Sequence, residues 1–153
     1  MLISLFTGFV TAPATVALIV KVVQDVTYKK SEEWETAKPG ITLEAGNEVR
    51  TGRKSLAVVK FTDNSVLRVK ENSFLRISAE KSGNKLTKTT IIEEGKLGFE
   101  VSQQIENEEF RFVTPTAVAS IRGTSGFFSV DPEGKTLLVV TEGEINVDAT
   151  LGS

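Results

Sequence analysis

Ala57-Val58-Val59-Lys60-Phe61-Thr62-Asp63-Asn64-Ser65-Val66-Leu67-Arg68-Val69 is two short apolar, β-branched runs divided by polar residues. Val and Phe suit a pleated, half-buried surface. Asp63, Asn64 and Ser65 tolerate left-handed backbone angles and bond locally to the backbone, so the stretch predicts a tight β-hairpin.

The same grammar extends in both directions. Apolar runs separated by Gly, Asn, Asp and Ser predict strands at Val16 to Tyr28, Thr42 to Leu43 leading into Glu48 to Arg50, Ser55 to Phe61, Val66 to Val69 and Phe74 to Ala79. Further strands are predicted at Lys85 to Glu93, Lys96 to Val101, Glu109 to Thr114, Ala117 to Ile121, Gly126 to Val130, Thr136 to Thr141 and Glu144 to Val147. Ser82-Gly83-Asn84 and Asp131-Pro132-Glu133-Gly134 predict two more turns. Helical periodicity is nearly absent, which makes the fold class all-β.

A short pattern recurs at Leu43-Glu44-Ala45-Gly46, Ile92-Glu93-Glu94-Gly95 and Val140-Thr141-Glu142-Gly143. Each copy leads on to an aliphatic side chain, as in a chain that winds back through one shape. The expectation is a single domain of short strands in a solenoid-like or double-sheet arrangement, sandwich- or jelly-roll-like.

Composition narrows the function. The 153 residues suffice for one domain, and 40% hydrophobic with 25% charged residues is ordinary globular usage. With 18 basic and 20 acidic side chains interspersed, no positive field gathers phosphates, so nucleic acid is not an expected partner. The densest basic run, Lys81, Lys85 and Lys88, flanks Gly83 and Asn84 and reads as a solvated hairpin tip. The chain has no His and no Cys, which removes imidazole and thiolate nucleophiles and the usual zinc or iron ligands. Glu93, Glu94, Glu142 and Glu144 lie near strand ends without the pairing a glycosidase needs, and no Asp-rich calcium loop is present. No enzyme activity, metal or cofactor is expected.

No charged residue precedes Lys21, and Leu2 to Val10 has the length of a signal-peptide hydrophobic region, followed by Ala12-Pro13-Ala14 in the small-residue arrangement of a cleavage site. Residues 1–14 are therefore read as a signal peptide, 15–148 as the β domain and 149–153 as a tail. The alternative for the apolar segment is a membrane anchor.

Phe112-Val113-Thr114-Pro115-Thr116-Ala117-Val118-Ala119-Ser120-Ile121-Arg122-Gly123-Thr124, closing on Phe127-Phe128-Ser129-Val130, resembles the signature of FecR domains. Trp34 with Ala37, Gly40 to Gly52 and Ser55 to Ser65 resemble the same family in the same order. The resemblance implies an extracytoplasmic all-β module of the kind found in membrane-bound anti-sigma regulators. The sigma-binding helical region of those regulators is not matched, so the expectation is a free-standing exported protein, periplasmic or membrane-anchored. It would serve as a non-enzymatic protein-interaction or signal-relay module with an unidentified envelope or membrane protein as partner. The alternative is a glycan-binding or scaffold domain of the cell envelope.

Within the signature, Thr114, Pro115, Thr116, Arg122, Gly123 and Thr124 read as structural. Pro115 fixes a bend, Gly123 supplies a left-handed angle, and Arg122 is expected to be a buried clamp on turn carbonyls or on a carboxylate such as Glu142. Tyr28 and Trp34 flank a polar segment and are the candidate surface contacts, as an aromatic platform for glycan. Strand addition to an exposed edge is the interaction mode that would leave little trace in sequence.

Overall fold

The β-branched runs become twelve strands: β1 (Thr15–Val23), β2 (Val26–Lys29), β3 (Trp34–Thr36), β4 (Thr42–Glu44), β5 (Glu48–Thr51), β6 (Leu56–Phe61), β7 (Val66–Val69), β8 (Phe74–Ser82), β9 (Lys85–Val101), β10 (Glu108–Val113), β11 (Ala117–Val130) and β12 (Thr136–Ala149). The structure is a computed structural model that describes Gly8 and residues 14–149. All twelve strands belong to one hydrogen-bonded sheet, and no helix occurs among the described residues.

The sheet curls into two leaves because its three longest strands are shared. Residues 85–94 of β9 pair with β8 and, in parallel, with β10, whereas residues 95–101 pair with β7 and β11. Likewise residues 118–121 of β11 pair with β10, and residues 124–130 pair with the far half of β9. One leaf therefore runs β3-β2-β5-β8-β9-β10-β11-β12 and the other β4-β1-β6-β7-β9-β11-β12, with β9, β11 and β12 bending from one to the other. Strands that switch sheets at bulges or bends are how two packed sheets share a corner.

Between the leaves lies a phenylalanine core. Phe61 meets Phe110 edge to face at 4.9 Å, and Phe112 lies 5.1 Å from Phe99 and 5.0 Å from Phe128. Leu43, Val59, Leu67, Leu75, Ile77 and Ile92 complete it, all fully buried. Each such side chain contributes roughly 1.5–3 kcal/mol by leaving water. Among the described phenylalanines Phe127 points outward, 41% exposed, and Phe74 is half-buried beside Trp34.

The bends follow from glycine. Gly95 (φ 114°) and Gly143 (φ 91°), the last residues of two copies of the recurring pattern, sit inside β9 and β12, beside register shifts in the ladders. Gly46, in the remaining copy, has φ 90° but lies in the turn between β4 and β5. These are left-handed angles that favour glycine. Sequence reading treats Gly95, Gly123 and Gly143 as breaks between strands; the ladder instead continues through them.

Two further expectations are corrected. Val16 to Tyr28 is not one strand: Gln24 adopts φ 59° and the Asp25 amide donates to Ser55 Oγ at 3.0 Å, so the chain leaves one leaf at Val23 and enters the other at Val26. Lys88 is not a solvated tip residue, being 1% exposed. It shares the inward face of β9 with Thr90 and Ile92, while Lys81 and Lys85 remain exposed. The expected hairpin of β6 and β7 forms, with Val59 opposite Leu67 and Asn64 at φ 70°. Apart from Gly8 and Ala14, the expected signal peptide or anchor lies outside the described residues, as does the tail beyond Ala149.

Candidate functional site

The first half of the signature ties two turns together. Thr114-Pro115-Thr116 joins β10 to β11 and meets the turn that joins β11 to β12. Thr114 Oγ1 accepts from the Ala117 amide at 3.0 Å and lies 2.7 Å from Thr136 Oγ1. Thr116 Oγ1 donates to the Gly134 carbonyl at 3.1 Å and lies 2.8 Å from Thr136 Oγ1. Pro115 abuts Gly134 so closely that a side chain there would come within 3.1 Å of it. These residues hold backbone geometry.

The second half corrects an expectation. Arg122 is exposed and forms no ion pair among the described residues, so the buried arginine clamp does not exist. Ile121 and Thr124 face inward, and the bend at Gly123 (φ 53°) leaves Arg122 on the outer surface, in register with Glu144 and not Glu142. Thr124, 1% exposed, does the tying: its Oγ1 is 2.7 Å from the Arg122 carbonyl and 2.9 Å from the Glu144 carbonyl. One hydroxyl proton thus serves two carbonyls at the shared bend of β11 and β12.

Beside Arg122 the outer face carries an open depression of about 660 Å³, lined by Lys85, Glu109, Ser120 and Glu144 among others. Lys85 lies 2.7 Å from Glu109 Oε2, while Ser120 and Arg111 donate to Oε1 at 2.8 and 3.0 Å. Lys85 foremost, with Ser120 and Arg111, holds the Glu109 carboxyl down at about 2 against the upward push of burial. A carboxylate so fully engaged is a structural acceptor, unsuited to general acid chemistry.

Neither aromatic candidate is a free platform. Tyr28 is buried, and its hydroxyl donates to Glu35 at 2.5 Å, which raises its pKa. Trp34 is half-buried on β3, with the Arg50 guanidinium 4.4 Å from its ring centroid; the same guanidinium is 4.8 Å from the Phe74 ring. The cation occupies a face that a sugar would need.

Sequence reading missed one feature and raised a second, an exposed edge, without placing it. The first is a buried ionic knot: Lys88 Nζ lies 2.6 Å from Asp63 and 2.9 Å from Glu108, and Gln104 donates to Asp63 at 2.9 Å. Burial pushes the Asp63 carboxyl up, but bonds from Lys88, Gln104 and Ser65 outweigh it and hold it below its ordinary value. Among the described residues no group of carboxylates is arranged to hold a metal.

The other feature is an open edge. Over its 14 residues β12 pairs only with β11 among the described residues. Leu137 (58%), Val140 (36%) and Val147 (45%) are exposed along it, next to Phe127. The outer strands β3 and β4 have three residues each, a common way of blunting a sheet edge. By contrast, β12 is long and contains no Pro, Lys or Arg, the residues that usually protect an edge.

The model of the family described as FecR protein matches residues 47–146, about two thirds of the chain. No curated protein and no solved structure matches the chain. The chain belongs to the FecR family.

Proposed function

We propose that this chain is a non-enzymatic, extracytoplasmic protein-interaction module that relays a signal by taking an extended segment of an envelope or membrane protein onto the free edge of β12. FecR proteins are regulators, typically periplasmic, that act with other proteins. Export through residues 1–14 fits that setting. The single observation that carries the reading is β12 itself: 14 residues of strand whose outer backbone groups are unshared among the described residues, with exposed apolar side chains along it, where the outer strands β3 and β4 have three residues each. Main-chain bonds along such an edge supply affinity, and alternate side chains supply selectivity.

The test is site-specific photocrosslinking in cells. A photoreactive residue at Leu137 or Val147 should capture one discrete partner, and the same residue at Thr36 on β3 should capture none. Equal capture at all three positions, or none at the first two, would remove β12 from the interaction. Cell fractionation with the mature amino terminus determined tests export, and an uncleaved cytosolic product would end the extracytoplasmic reading.

A further inference from the structure

We infer that the segment received by β12 is basic: an extended strand in which Lys or Arg alternates with aliphatic side chains, seated on residues 144–149. This rests on the strand-addition reading above and specifies its partner.

The two faces of this half of β12 differ sharply. Ile145 and Val147 are in register with Ile121 and Ala119, which are buried, so both point toward the core side of the leaf. Ile145 packs on the core, whereas Val147 is left 45% exposed at its margin. Glu144, Asn146 and Asp148 are in register with Arg122, Ser120 and Val118 and point to the opposite face. Side chains directly opposite on neighbouring strands share a face and interact. An added strand would therefore place aliphatic side chains beside Ile145 and Val147, covering what β12 leaves open. On the other face its side chains would meet Glu144 and Asp148, which stand four residues apart, about 13 Å along a strand.

Charge decides between occupants. From Thr136 to Ala149 the strand carries Glu142, Glu144 and Asp148 and no cation. Arg122 is the cation in register with this half, and it forms no ion pair among the described residues; Lys85 and Arg111, which line the same face beside Glu144 and Asp148, are paired with Glu109. A second copy pairing antiparallel across residues 144–149 would set acid against acid, which is destabilising, whereas a basic strand sets opposite charges together. The edge thus selects a foreign basic strand over its own duplicate.

The test uses the full chain and fluorescein-labelled peptides read by anisotropy: alternating Lys-Val, alternating Glu-Val, and Lys-Val peptides N-methylated at every second amide in either frame. Lys-Val should bind on the order of tenfold tighter than Glu-Val, more weakly at high salt, and one N-methylated frame should lose binding. The double variant Glu144→Lys, Asp148→Lys should melt as the parent does and lose or reverse the preference. Should both N-methylated frames bind as well as the parent peptide, the contact is not a strand and the strand-addition reading falls. Backbone dependence without charge preference, or a preference that survives the double variant, overturns the basic partner alone. No binding of Lys-Val overturns this inference, while the crosslinking at Leu137 and Val147 judges the broader reading independently. A dimer seen by light scattering and abolished by the same double variant would mean that a second copy occupies the edge.

Discussion

The Lys88 ammonium lies 2.6 Å from the Asp63 carboxylate in a site where Lys88 is 1% exposed and Asp63 is close to buried. This pair joins the turn of the β6-β7 hairpin to β9. Through Glu108 and Gln104 it also pins the segment that carries the chain from β9 back to the start of the parallel strand β10. Removing one member of a buried ion pair leaves the others uncompensated, which costs about 3–5 kcal/mol. Lys88→Met should therefore lower unfolding free energy by an amount of that order. Breaking the exposed pair of Arg68 and Glu100, 2.8 Å apart, should cost about 1 kcal/mol or less. Urea unfolding of Lys88→Met and Glu100→Ala checks this, and equal losses would show that the knot carries no special weight.

Gly95 and Gly98 are three residues apart on β9, yet substitution to Ala should act in opposite directions. At Gly95, φ is 114° and an added Cβ would fall 2.1 Å from Ser73 Oγ and 2.4 Å from Ser73 Cα. Backbone cannot retreat as a flexible side chain can, so Gly95→Ala should cost about 3 kcal/mol from overpacking and left-handed strain together. At Gly98 the nearest atom is Arg68 Cβ at 3.7 Å, an ordinary contact. Gly98→Ala should be neutral or stabilising by up to about 1 kcal/mol, because the unfolded chain loses freedom. Thermal melts of both variants decide it; a Gly95→Ala protein as stable as the parent would mean that the bend in β9 does not depend on glycine.

These cases mark what was legible in the sequence. Strand runs and hairpin turns were readable because β-branched side chains and Asp-Asn-Ser act locally. The sharing of β9, β11 and β12 between two leaves was not, because a glycine inside a strand and a glycine between strands look alike until the partners are known. Lys88 was misread through its neighbours Gly83 and Asn84, although its even-numbered alignment with Thr90 and Ile92 already placed it on the core face. Arg122 was misread for a related reason. Alternation after the inward Ile121 already puts Arg122 outside, and the bend at Gly123 breaks that alternation so that Thr124 faces inward instead of sharing its side. The β12 edge leaves no motif, since an unshared backbone has no residue signature.

At the signature's second half, Thr124 makes the tie that sequence reading gives to Arg122. Thr124→Val keeps shape but leaves the carbonyls of Arg122 and Glu144 without their hydroxyl partner, 2.7 and 2.9 Å away. The expected cost is about 1–3 kcal/mol. Arg122→Ala, on an exposed side chain, should change stability by no more than about 0.5 kcal/mol. Calorimetry on the two variants separates them, and a large loss from Arg122→Ala would restore the clamp that the structure lacks.

Acid should weaken the outer face of the β10-β11 leaf through Glu109. Its carboxyl titrates near the ordinary 4.5 when the chain is unfolded and at about 2 when folded, where Lys85, Ser120 and Arg111 hold it ionised. A group whose folded value is depressed adds stability that is complete above the unfolded value and fades as pH falls through the folded one. Asp63, also held down, acts in the same sense. The melting temperature of the parent should therefore drop between pH 4.5 and pH 2. Glu109→Gln should be less stable than the parent at neutral pH, with the difference closing as pH approaches 2. Part of the effect should also vanish in high salt, because Lys85 reaches Glu109 from solvent with 59% of its side chain exposed. Melts of both proteins across this range, with exposed Glu133→Gln as the control, provide the check. A gap between parent and Glu109→Gln that stays constant to the lowest pH would mean that the three donors stabilise the fold without holding the Glu109 proton off.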